Sequence, residues 1–238
     1  MNFKNKVVLI TGATGGLGSA VTAAFLKAGA GVAATYTGAK KFKELETALK
    51  PEPGMLLGFE TNVTDNARVK LMVDRVIKKV GRIDALINLA GGYLGGVLTA
   101  DLSEKQWDDM INLNLKSVFL VCKHVFPVMV QQKTGRIVNI SSGGGLQGAE
   151  GIAAYGASKA GVINITQTLA AEGKKHNITA NVIAPAIIDT PTNRSAMPTA
   201  DFSKWVTPAS LAEVVLFLAS DAAKDINGAV MPVFGKTG

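Results

Sequence analysis

Short apolar segments alternate along the chain with longer segments in which apolar and polar residues recur at helical spacing. The first apolar segment, residues 6–11, is rich in β-branched residues and predicts a buried strand. Residues 19–28, which follow a glycine-rich turn, are good helix formers and predict a helix that ends at Gly29. The same pattern predicts further strands at residues 31–36, 55–60, 84–88, 136–141, 178–184 and 229–234.

Helical segments separate these predicted strands. One is expected at residues 66–80 with Asp65 as its N-cap, and a longer one begins at Ser103 and is bent or interrupted near Asn114. The remaining helices are predicted at residues 40–50 and 208–220 and around Tyr155. Strands that alternate with helices imply parallel strands joined by right-handed crossovers. The sequence therefore predicts an α/β protein over residues 1–238, a single-domain Rossmann-type doubly wound parallel sheet of about seven strands with helices on both faces.

The turn after the first strand, residues 11–18, reads Thr-Gly-Ala-Thr-Gly-Gly-Leu-Gly and lies between a predicted strand and a predicted helix. That context is typical of a site that binds the pyrophosphate of a dinucleotide at the start of a helix. Gly12 would allow the tight turn, Gly16 would let the backbone approach the pyrophosphate, and Gly18 would let the helix pack close to the strand. The alternative is an ordinary flexible turn. The predicted cofactor contacts in this turn are Gly12, Thr14, Gly15, Gly16, Leu17 and Gly18.

Tyr155 and Lys159 lie four residues apart, and Ser142 lies thirteen residues before Tyr155. Positions i and i+4 of a helix share one face, so the phenol and the ammonium can address the same small volume. A nearby cation favours the phenolate, and we expect Lys159 to lower the pKa of Tyr155 towards neutrality. Ser142 would donate a hydrogen bond to a substrate oxygen while Tyr155 delivers or removes a proton. The alternative is a surface tyrosine beside a solvated lysine.

The order and spacing of these motifs resemble the short-chain dehydrogenase/reductase family from end to end. The family's glycine pattern matches residues 11–18, and its N-N-A-G motif matches residues 88–91 with Leu89 as one departure. Residues 181–185 match the strand after the catalytic helix, although Ala186 replaces the usual glycine. The family's catalytic residues match Asn114, Ser142, Tyr155 and Lys159.

The resemblance implies reversible hydride transfer between a nicotinamide cofactor and a carbonyl or alcohol carbon. It makes Tyr155 the general acid or base, with Ser142 orienting the substrate oxygen. It also makes Lys159 a ligand of the nicotinamide ribose, and Asn114 the anchor of a water that links Lys159 to solvent. The alternative for Asn114 is a residue at a helix bend that bonds its own backbone.

Further cofactor contacts follow from the resemblance. The nicotinamide carboxamide would meet Ile188 and Thr190. Asn62 and Val63 would flank the adenine, or else form a plain strand end. The remaining implied positions are Tyr36, Thr37, Asn88, Ala90, Gly91 and Pro185, together with Tyr155 and Lys159. Because these loops follow strands at the same end of the sheet, we expect them to surround one cleft.

The absence of a carboxylate near the end of the second predicted strand bears on the choice between NADP and NAD. An NAD site usually places Asp or Glu about 20 residues beyond the glycine motif, where it binds the ribose hydroxyls. Residues 13–43 contain no carboxylate, and Lys40 and Lys41 follow Thr37 at the end of the second predicted strand. NADP is therefore favoured over NAD, although Gly15 replaces the arginine that is frequent in the family's glycine loop.

The substrate is the least determined feature of the sequence. Residues 189–205 resemble the corresponding loop of dihydropteridine reductases, and Met197 and Trp205 would either line the pocket or pack as core. The rest of the chain resembles 3-oxoacyl-carrier-protein reductases. Ser142, which the pteridine enzymes lack, and the missing acidic residue favour a carbonyl reductase or alcohol dehydrogenase. A pteridine reductase is the first alternative, and a non-catalytic nucleotide-binding protein is the second.

The amino-acid composition agrees with an oxidoreductase of this family and suggests no additional partner. The net charge of +7 is spread over several helices, and few aromatic residues are available for base stacking, so no nucleic-acid partner is expected. No apolar run approaches the roughly 20 residues that span a bilayer, and neither a membrane partner nor a signal peptide is expected. The single cysteine, Cys122, cannot form an internal disulfide, so the reducing cytoplasm is the expected location. No metal site is predicted.

Two predicted helices carry more apolar surface than one sheet can cover. Val118, Phe119 and Phe126 spread around more than one side of the helix at residues 112–130. The helix at residues 153–173 presents small residues that permit close approach by another surface. We therefore expect a closed homo-oligomer, a tetramer in preference to a dimer.

Overall fold

The computed structural model describes residues 1–237 and contains one parallel β-sheet. Its strands are β1 (Val7–Thr11), β2 (Gly31–Tyr36), β3 (Leu56–Glu60), β4 (Ala85–Asn88), β5 (Gly135–Ile140), β6 (Ile178–Pro185) and β7 (Val230–Val233). They lie in the order β3-β2-β1-β4-β5-β6-β7, and every neighbouring pair is parallel. The predicted seven-stranded doubly wound sheet is confirmed. Its strand order reverses between β1 and β4, which creates the crevice where ligands bind such sheets.

Helices connect the consecutive strands. The α-helices are α1 (Gly16–Lys27), α2 (Ala39–Leu49), α3 (Asn66–Val80), α4 (Glu104–Met110), α5 (Ser117–Gln132), α6 (Gly143–Leu146), α7 (Ala153–Gly173), α8 (Pro191–Ala196) and α9 (Pro208–Ala219). The predicted N-cap of α3 is confirmed, because the carboxylate of Asp65 accepts hydrogen bonds from the amides of Ala67 and Arg68 at 2.9 and 3.1 Å. The sequence did not predict the short helices α6 and α8.

Helices bury both faces of the sheet. Alternate residues of each strand point to opposite faces and join two different hydrophobic clusters. Val8 and Ile10 of β1 join one cluster, which α1, α2 and α9 cover with side chains such as Phe25 and Leu211. Leu9 joins the other cluster, which α3, α5 and α7 cover. Nearly continuous apolar strands are expected wherever helices cover both faces of a parallel sheet. This side-chain pattern explains the three-layer arrangement.

A line of buried polar side chains crosses the core at the carboxyl end of the central strands. The hydroxyl of Thr11 donates to Asn88 Oδ1 at 3.3 Å, and Asn88 Nδ2 donates to Asn139 Oδ1 at 2.8 Å. Asn139 Nδ2 then donates to Thr166 Oγ1 of α7 at 2.9 Å. Buried polar groups cost free energy unless they are hydrogen-bonded, so these bonds favour one alignment of β1, β4, β5 and α7. The sequence analysis did not predict this polar line.

The predicted interruption near Asn114 is a π-helical turn, Ile111–Lys116, that joins α4 to α5. A π turn places one extra residue in the helix and shifts the direction of the side chains that follow. Asn114 is fully buried within it. The interruption therefore directs an amide side chain into the protein at the carboxyl end of the sheet.

The continuous helical segment Glu104–Gln132 is long and apolar enough to span a bilayer by length and composition. It is not an uninterrupted apolar run of the kind that the sequence analysis excluded, because Lys116 and Lys123 lie within it. Val118, Val121 and Val125 of this segment pack into the core beside the sheet. That packing accounts for the apolar composition of the helix.

The glycine turn holds α1 close to β1. Gly12 has a φ of +67°, in the left-handed region that residues with a side chain rarely adopt. A Cβ atom at Gly18 would lie 2.0 Å from the carbonyl oxygen of Gly12 and 2.9 Å from two backbone atoms of Ala13. Because these neighbours are backbone atoms, they cannot rotate away. Gly18 is therefore required for the contact between this helix and this strand.

We predict that Gly18→Ala lowers the free energy of unfolding by about 3 kcal/mol, because the added methyl group overlaps backbone atoms. Gly15→Ala is the matched control, since a Cβ atom at Gly15 would lie 3.4 Å from its nearest neighbour, the carbonyl oxygen of Gly12. Urea unfolding of both variants without cofactor measures the difference. Equal stability of the two variants would contradict the close packing described for Gly18.

Candidate active site

Tyr155 lies in the first turn of α7, at the carboxyl end of the sheet, and its side chain is half-buried. The ring of Tyr93 meets it edge-on, with ring centroids 4.9 Å apart and an interplanar angle of 74°. The backbone of Gly144 lies on another side, because a Cβ atom at Gly144 would be 3.6 Å from Tyr155 Cε1. The phenol is therefore held between the loops that follow β4 and β5.

Lys159 lies one helical turn beyond Tyr155, and only 7% of its surface is exposed. Its Nζ donates to the carbonyl oxygen of Ile140, the last residue of β5, at 3.1 Å and lies 5.9 Å from the centroid of the Tyr155 ring. Burial lowers the pKa of the Lys159 ammonium to about 8. An ammonium has three donors, and Ile140 is the one hydrogen-bond acceptor that Lys159 has within residues 1–237. The side chain can therefore serve a bound ligand as well.

The structure corrects the expected effect of Lys159 on Tyr155. Burial of the phenol raises the pKa of Tyr155, hydrogen bonding with Ser142 acts in the opposite direction, and Tyr93 adds to the rise. Lys159 does not offset the effect of burial, because its hydrogen bond is made to Ile140 and not to the phenolic oxygen. The prediction of a lowered pKa was therefore wrong for the protein alone, in which Tyr155 is protonated at neutral pH.

Ser142 follows β5 and forms the N-cap of α6. Its Oγ accepts a hydrogen bond from the amide of Gly144 at 3.0 Å. The neighbouring Ser141 is buried, and its hydroxyl donates to the carbonyl oxygen of Lys159 at 2.8 Å, which ties this loop to α7. A Cβ atom at Gly144 would lie 3.5 Å from Ser142 Oγ and 3.6 Å from Tyr155 Cε1. The side chains of Ser142 and Tyr155 therefore lie around the same glycine.

Asn114 joins the loop after β4 to α7. Its Oδ1 accepts from the amide of Gly92 at 2.8 Å, and its Nδ2 donates to the carbonyl oxygen of Gly92 at 3.1 Å and to Ser158 Oγ at 3.0 Å. The alternative in which Asn114 bonds its own helix backbone is not the arrangement found. A Cβ atom at Gly91 would lie 2.9 Å from Asn114 Oδ1 and 3.4 Å from Lys159 Nζ. Asn114 and Lys159 therefore flank the same backbone segment.

The glycine turn meets the other predicted loops at this edge of the sheet. A Cβ atom at Gly12 would lie 2.8 Å from the amide nitrogen of Ala90, and one at Gly16 would lie 2.8 Å from Thr190 Cγ2. Thr14 is half-buried within the turn. The loops that follow β1, β4 and β6 are thus in contact with one another at the carboxyl ends of the strands.

The first turn of α1 fits the pyrophosphate of a dinucleotide. Its N-cap, Gly15, offers no capping side chain, and the first turn contains no acidic residue. The amides of Gly16, Leu17 and Gly18 therefore lack acceptors within the helix and retain the partial positive charge that favours phosphate. Together with the buried ammonium of Lys159, these donors fit the phosphate and ribose groups of NAD(P).

The end of β2, where the adenosine ribose would lie, carries one group that the sequence analysis did not consider. Tyr36 stacks on Phe42 of α2, with ring centroids 4.7 Å apart, and Thr37 is exposed. Glu60 is exposed at the end of β3 and pairs in register with Tyr36. The parallel register therefore places the Glu60 carboxylate beside the end of β2, which has no carboxylate of its own.

Several predicted cofactor positions have structural roles. The side chain of Asn62 accepts hydrogen bonds from the amide and hydroxyl of Thr64 at 3.0 and 2.8 Å, and Val63 packs in the core. Asn88 belongs to the buried polar line, and Pro185 is the buried last residue of β6. These residues shape the carboxyl edge of the sheet, and their contact with a cofactor stays a prediction.

The segment after β6 is folded back on itself. Thr190 Oγ1 caps α8 by accepting from the amide of Asn193 at 3.2 Å, and Asn193 Nδ2 donates to the carbonyl oxygen of Ile188 at 2.8 Å. Trp205 is buried and packs on Phe202, with ring centroids 4.8 Å apart. Of the two alternatives for Trp205, the packed core is therefore the one observed.

Comparison with known proteins agrees with this geometry. The 3-oxoacyl-[acyl-carrier-protein] reductase FabG of Thermotoga maritima is 40% identical over an alignment 246 residues long, which covers 99% of this chain and 98% of that protein. An acetoacetyl-CoA reductase of an Acinetobacter species is 34% identical over an alignment 253 residues long, which covers 98% of this chain and 97% of that protein. The solved structure of ElxO with NADP bound has a TM-score of 0.92 at 30% identity and covers 98% of both chains.

The sequence model of the family described as short chain dehydrogenase matches residues 6–201. This match includes the glycine turn, the π turn with Asn114, and the catalytic helix. The predicted resemblance to that family and to 3-oxoacyl-carrier-protein reductases is confirmed. This chain belongs to the short-chain dehydrogenase family of oxidoreductases.

Proposed function

We propose that this protein is an NADP-dependent reductase of 3-oxoacyl thioesters that works by reversible hydride transfer to the ketone carbon. The observation that carries the proposal is the placement of Tyr155 and Lys159 on one side of α7, at the sheet edge where α1 begins without a capping side chain. The two reductase relatives, which act on an acyl-carrier-protein thioester and a coenzyme A thioester, support the substrate class.

When bound, the nicotinamide supplies a hydride to a carbonyl carbon or accepts one from an alcohol carbon. Tyr155 donates the proton that the carbonyl oxygen needs in reduction and takes it back in oxidation. Because burial raises the pKa of Tyr155, the phenol is protonated at neutral pH before the reaction. That protonation state is the one from which reduction begins.

The neighbours of Tyr155 have supporting roles in this proposal. Ser142 holds the substrate oxygen beside the phenol with a hydrogen bond. Lys159 binds the ribose hydroxyls with donors that Ile140 does not use. Asn114 fixes the adjoining backbone and anchors a water through which Lys159 exchanges protons with solvent.

A preference for NADP is supported by charge at the start of α2. Lys40 lies 4.0 Å from Glu44, whereas Lys41 is exposed and forms no ion pair within the described part of the chain. Lys41 is therefore free to attract the additional phosphate of NADP. Glu60, beside Tyr36, opposes this attraction and limits the size of the preference. The NADP-bound relative supports the same choice.

A pteridine reductase is the alternative function, supported by the resemblance of residues 189–205 to the loop of dihydropteridine reductases. Tyr155 and Lys159 would act in the same way on a quinonoid ring. The position of Ser142 beside Tyr155 favours a carbonyl substrate. A non-catalytic nucleotide-binding role is disfavoured because all three side chains are present and assembled.

We also propose a closed homo-oligomer, a tetramer in preference to a dimer. Phe119 on α5 is 45% exposed, and the small side chains of Ala157 and Ala160 on α7 are exposed as well. Surplus apolar surface of this kind is usually covered by a second copy. The single thiol, Cys122, is buried and free, which supports the proposed cytoplasmic location.

We expect the purified protein to oxidise NADPH with acetoacetyl-CoA, and Tyr155→Phe to lower kcat by about 100-fold or more, because the phenol supplies the proton. The affinity for NADPH should change little, since the phenol provides little of the binding surface. Stopped-flow absorbance and fluorescence titration measure the two quantities. A variant that keeps a tenth of the wild-type kcat would contradict the role of Tyr155, and faster turnover of quinonoid dihydropterin would favour the alternative function.

A second expectation concerns the cofactor. NADPH should bind more tightly than NADH, and the preference should shrink as salt rises because exposed charges are screened. Lys41→Glu should remove most of the preference. Lys43→Glu makes the same charge change at an exposed position on another side of α2 and should have a smaller effect. Equal or tighter binding of NADH by the wild type, or equal effects of the two variants, would overturn this account.

The third expectation concerns the cost of burying Lys159. The pKa of Lys159 falls from 10.5 to about 8 on folding. Below pH 8 the native state therefore carries a buried charge. Between pH 8 and 10.5 the native state has lost this proton, whereas the unfolded state still holds it. Without cofactor, Lys159→Met should therefore stabilise the protein at neutral pH, by roughly 3 kcal/mol. The gain should shrink as pH rises through this range.

Urea unfolding at several pH values measures this dependence. Lys175→Met, at an exposed lysine, is the matched control and should show little change. If Lys159→Met destabilised the protein at neutral pH, or if its effect were independent of pH, the burial of a charged Lys159 would not be the dominant cost.

A further inference from the structure

Tyr93 combines high exposure with a contact to the catalytic tyrosine. It is 69% exposed, more than any other large apolar side chain within residues 1–237. Its ring nevertheless meets the ring of Tyr155 at a centroid distance of 4.9 Å. A large aromatic side chain that stays in water beside a reactive phenol has most of its surface available to a ligand.

The orientation of Tyr93 is built into its loop. Gly92, the preceding residue, is held through both its amide and its carbonyl by Asn114. A Cβ atom at Gly95 would lie 2.0 Å from the hydroxyl oxygen of Tyr93, so a larger residue at this position would displace the phenol from its observed place. The far end of the loop is also fixed, because the amide of Val97 donates to the carbonyl oxygen of Gly151 at 3.3 Å.

Few charged residues lie in the loop segments next to Tyr155, although the ammonium of Lys159 lies 5.9 Å from its ring centroid. Three loops follow β4, β5 and β6 at this edge, and residues 91–97, 142–152 and 185–188 contain Glu150 as their single charged residue. Leu146 and Ile187 of these loops are 42% and 36% exposed. These loops therefore expose apolar side chains, and one of them, Tyr93, places its aromatic ring against Tyr155.

We propose that Tyr93 is a specificity-determining residue that contacts a flat, uncharged group, an aromatic ring, carried by the carbonyl carbon of the substrate. The inference rests on the proposed function, because it places the ketone oxygen at Tyr155. An aromatic ring gains from the quadrupole of the tyrosine ring, whereas a saturated ring of similar size gains only from its contact area. The substrates favoured by Tyr93 are thus 3-oxoacyl thioesters with an aryl group on the ketone carbon.

Two synthetic probes of nearly equal size separate these contributions. One is a 3-oxo-3-phenylpropanoyl thioester, and the other carries a cyclohexyl group in place of phenyl. The ratio of their kcat/KM values should fall about fivefold in Tyr93→Leu, through KM more than kcat, and should change little in Tyr93→Phe, which keeps the ring. Calorimetric titration with the two alcohol products should show the same loss of preference in binding without turnover.

Leu146→Ala is the matched control, because it removes an exposed apolar side chain without a π system. It should lower kcat/KM for both probes alike and leave their ratio unchanged. An unchanged ratio in an active Tyr93→Leu variant, or an equal loss in Tyr93→Phe, would overturn the role of Tyr93 and leave the proposed function intact. If the wild type reduced neither acetoacetyl-CoA nor either probe, the proposed function would fail, and this inference with it.

Discussion

The candidate site depends on the buried polar line that joins the sheet to the catalytic helix. Its hydrogen bonds run from Thr11, next to the glycine turn, through Asn88 and Asn139 to Thr166 of α7. Each amide left unpaired in this apolar interior would cost about 1–3 kcal/mol, so α7 has one favoured position along the sheet. Tyr155 and Lys159 lie on the same helix as Thr166, and their place at the cleft follows from that position.

The second constraint is the burial of the Lys159 ammonium in the second turn of α7. The fold places the ammonium of Lys159 against the last carbonyl of β5, and the loss of hydration lowers its pKa to about 8. A buried cation with few protein partners weakens the fold but provides hydrogen-bond donors that a ribose can use. In the proposed function, stability is thus exchanged for binding at Lys159, while the raised pKa of Tyr155 keeps the neighbouring phenol protonated.

Local signals in the sequence predicted most of the fold and the edge of the sheet at which the candidate residues Ser142, Tyr155 and Lys159 lie. The N-cap at Asp65 and the helix interruption at Asn114 were predictable because each depends on neighbouring residues. The position of Glu60 beside Tyr36 depends on strand register, which the sequence does not state. The shift in the pKa of Tyr155 was predicted in the wrong direction. The spacing between Tyr155 and Lys159 shows that they share a helix face. It does not show how deeply the phenol is buried or that the Lys159 ammonium donates to Ile140.

The central claim is that this cleft directs a hydride to a ketone carbon while the protein supplies the proton. Mass spectrometry of the product formed from acetoacetyl-CoA and NADPH deuterated on the transferring face of nicotinamide C4 tests it most directly. The account predicts one deuterium bonded to the new alcohol carbon and a hydroxyl proton that comes from solvent. Formation of the alcohol without deuterium at that carbon, or no alcohol at all, would contradict it.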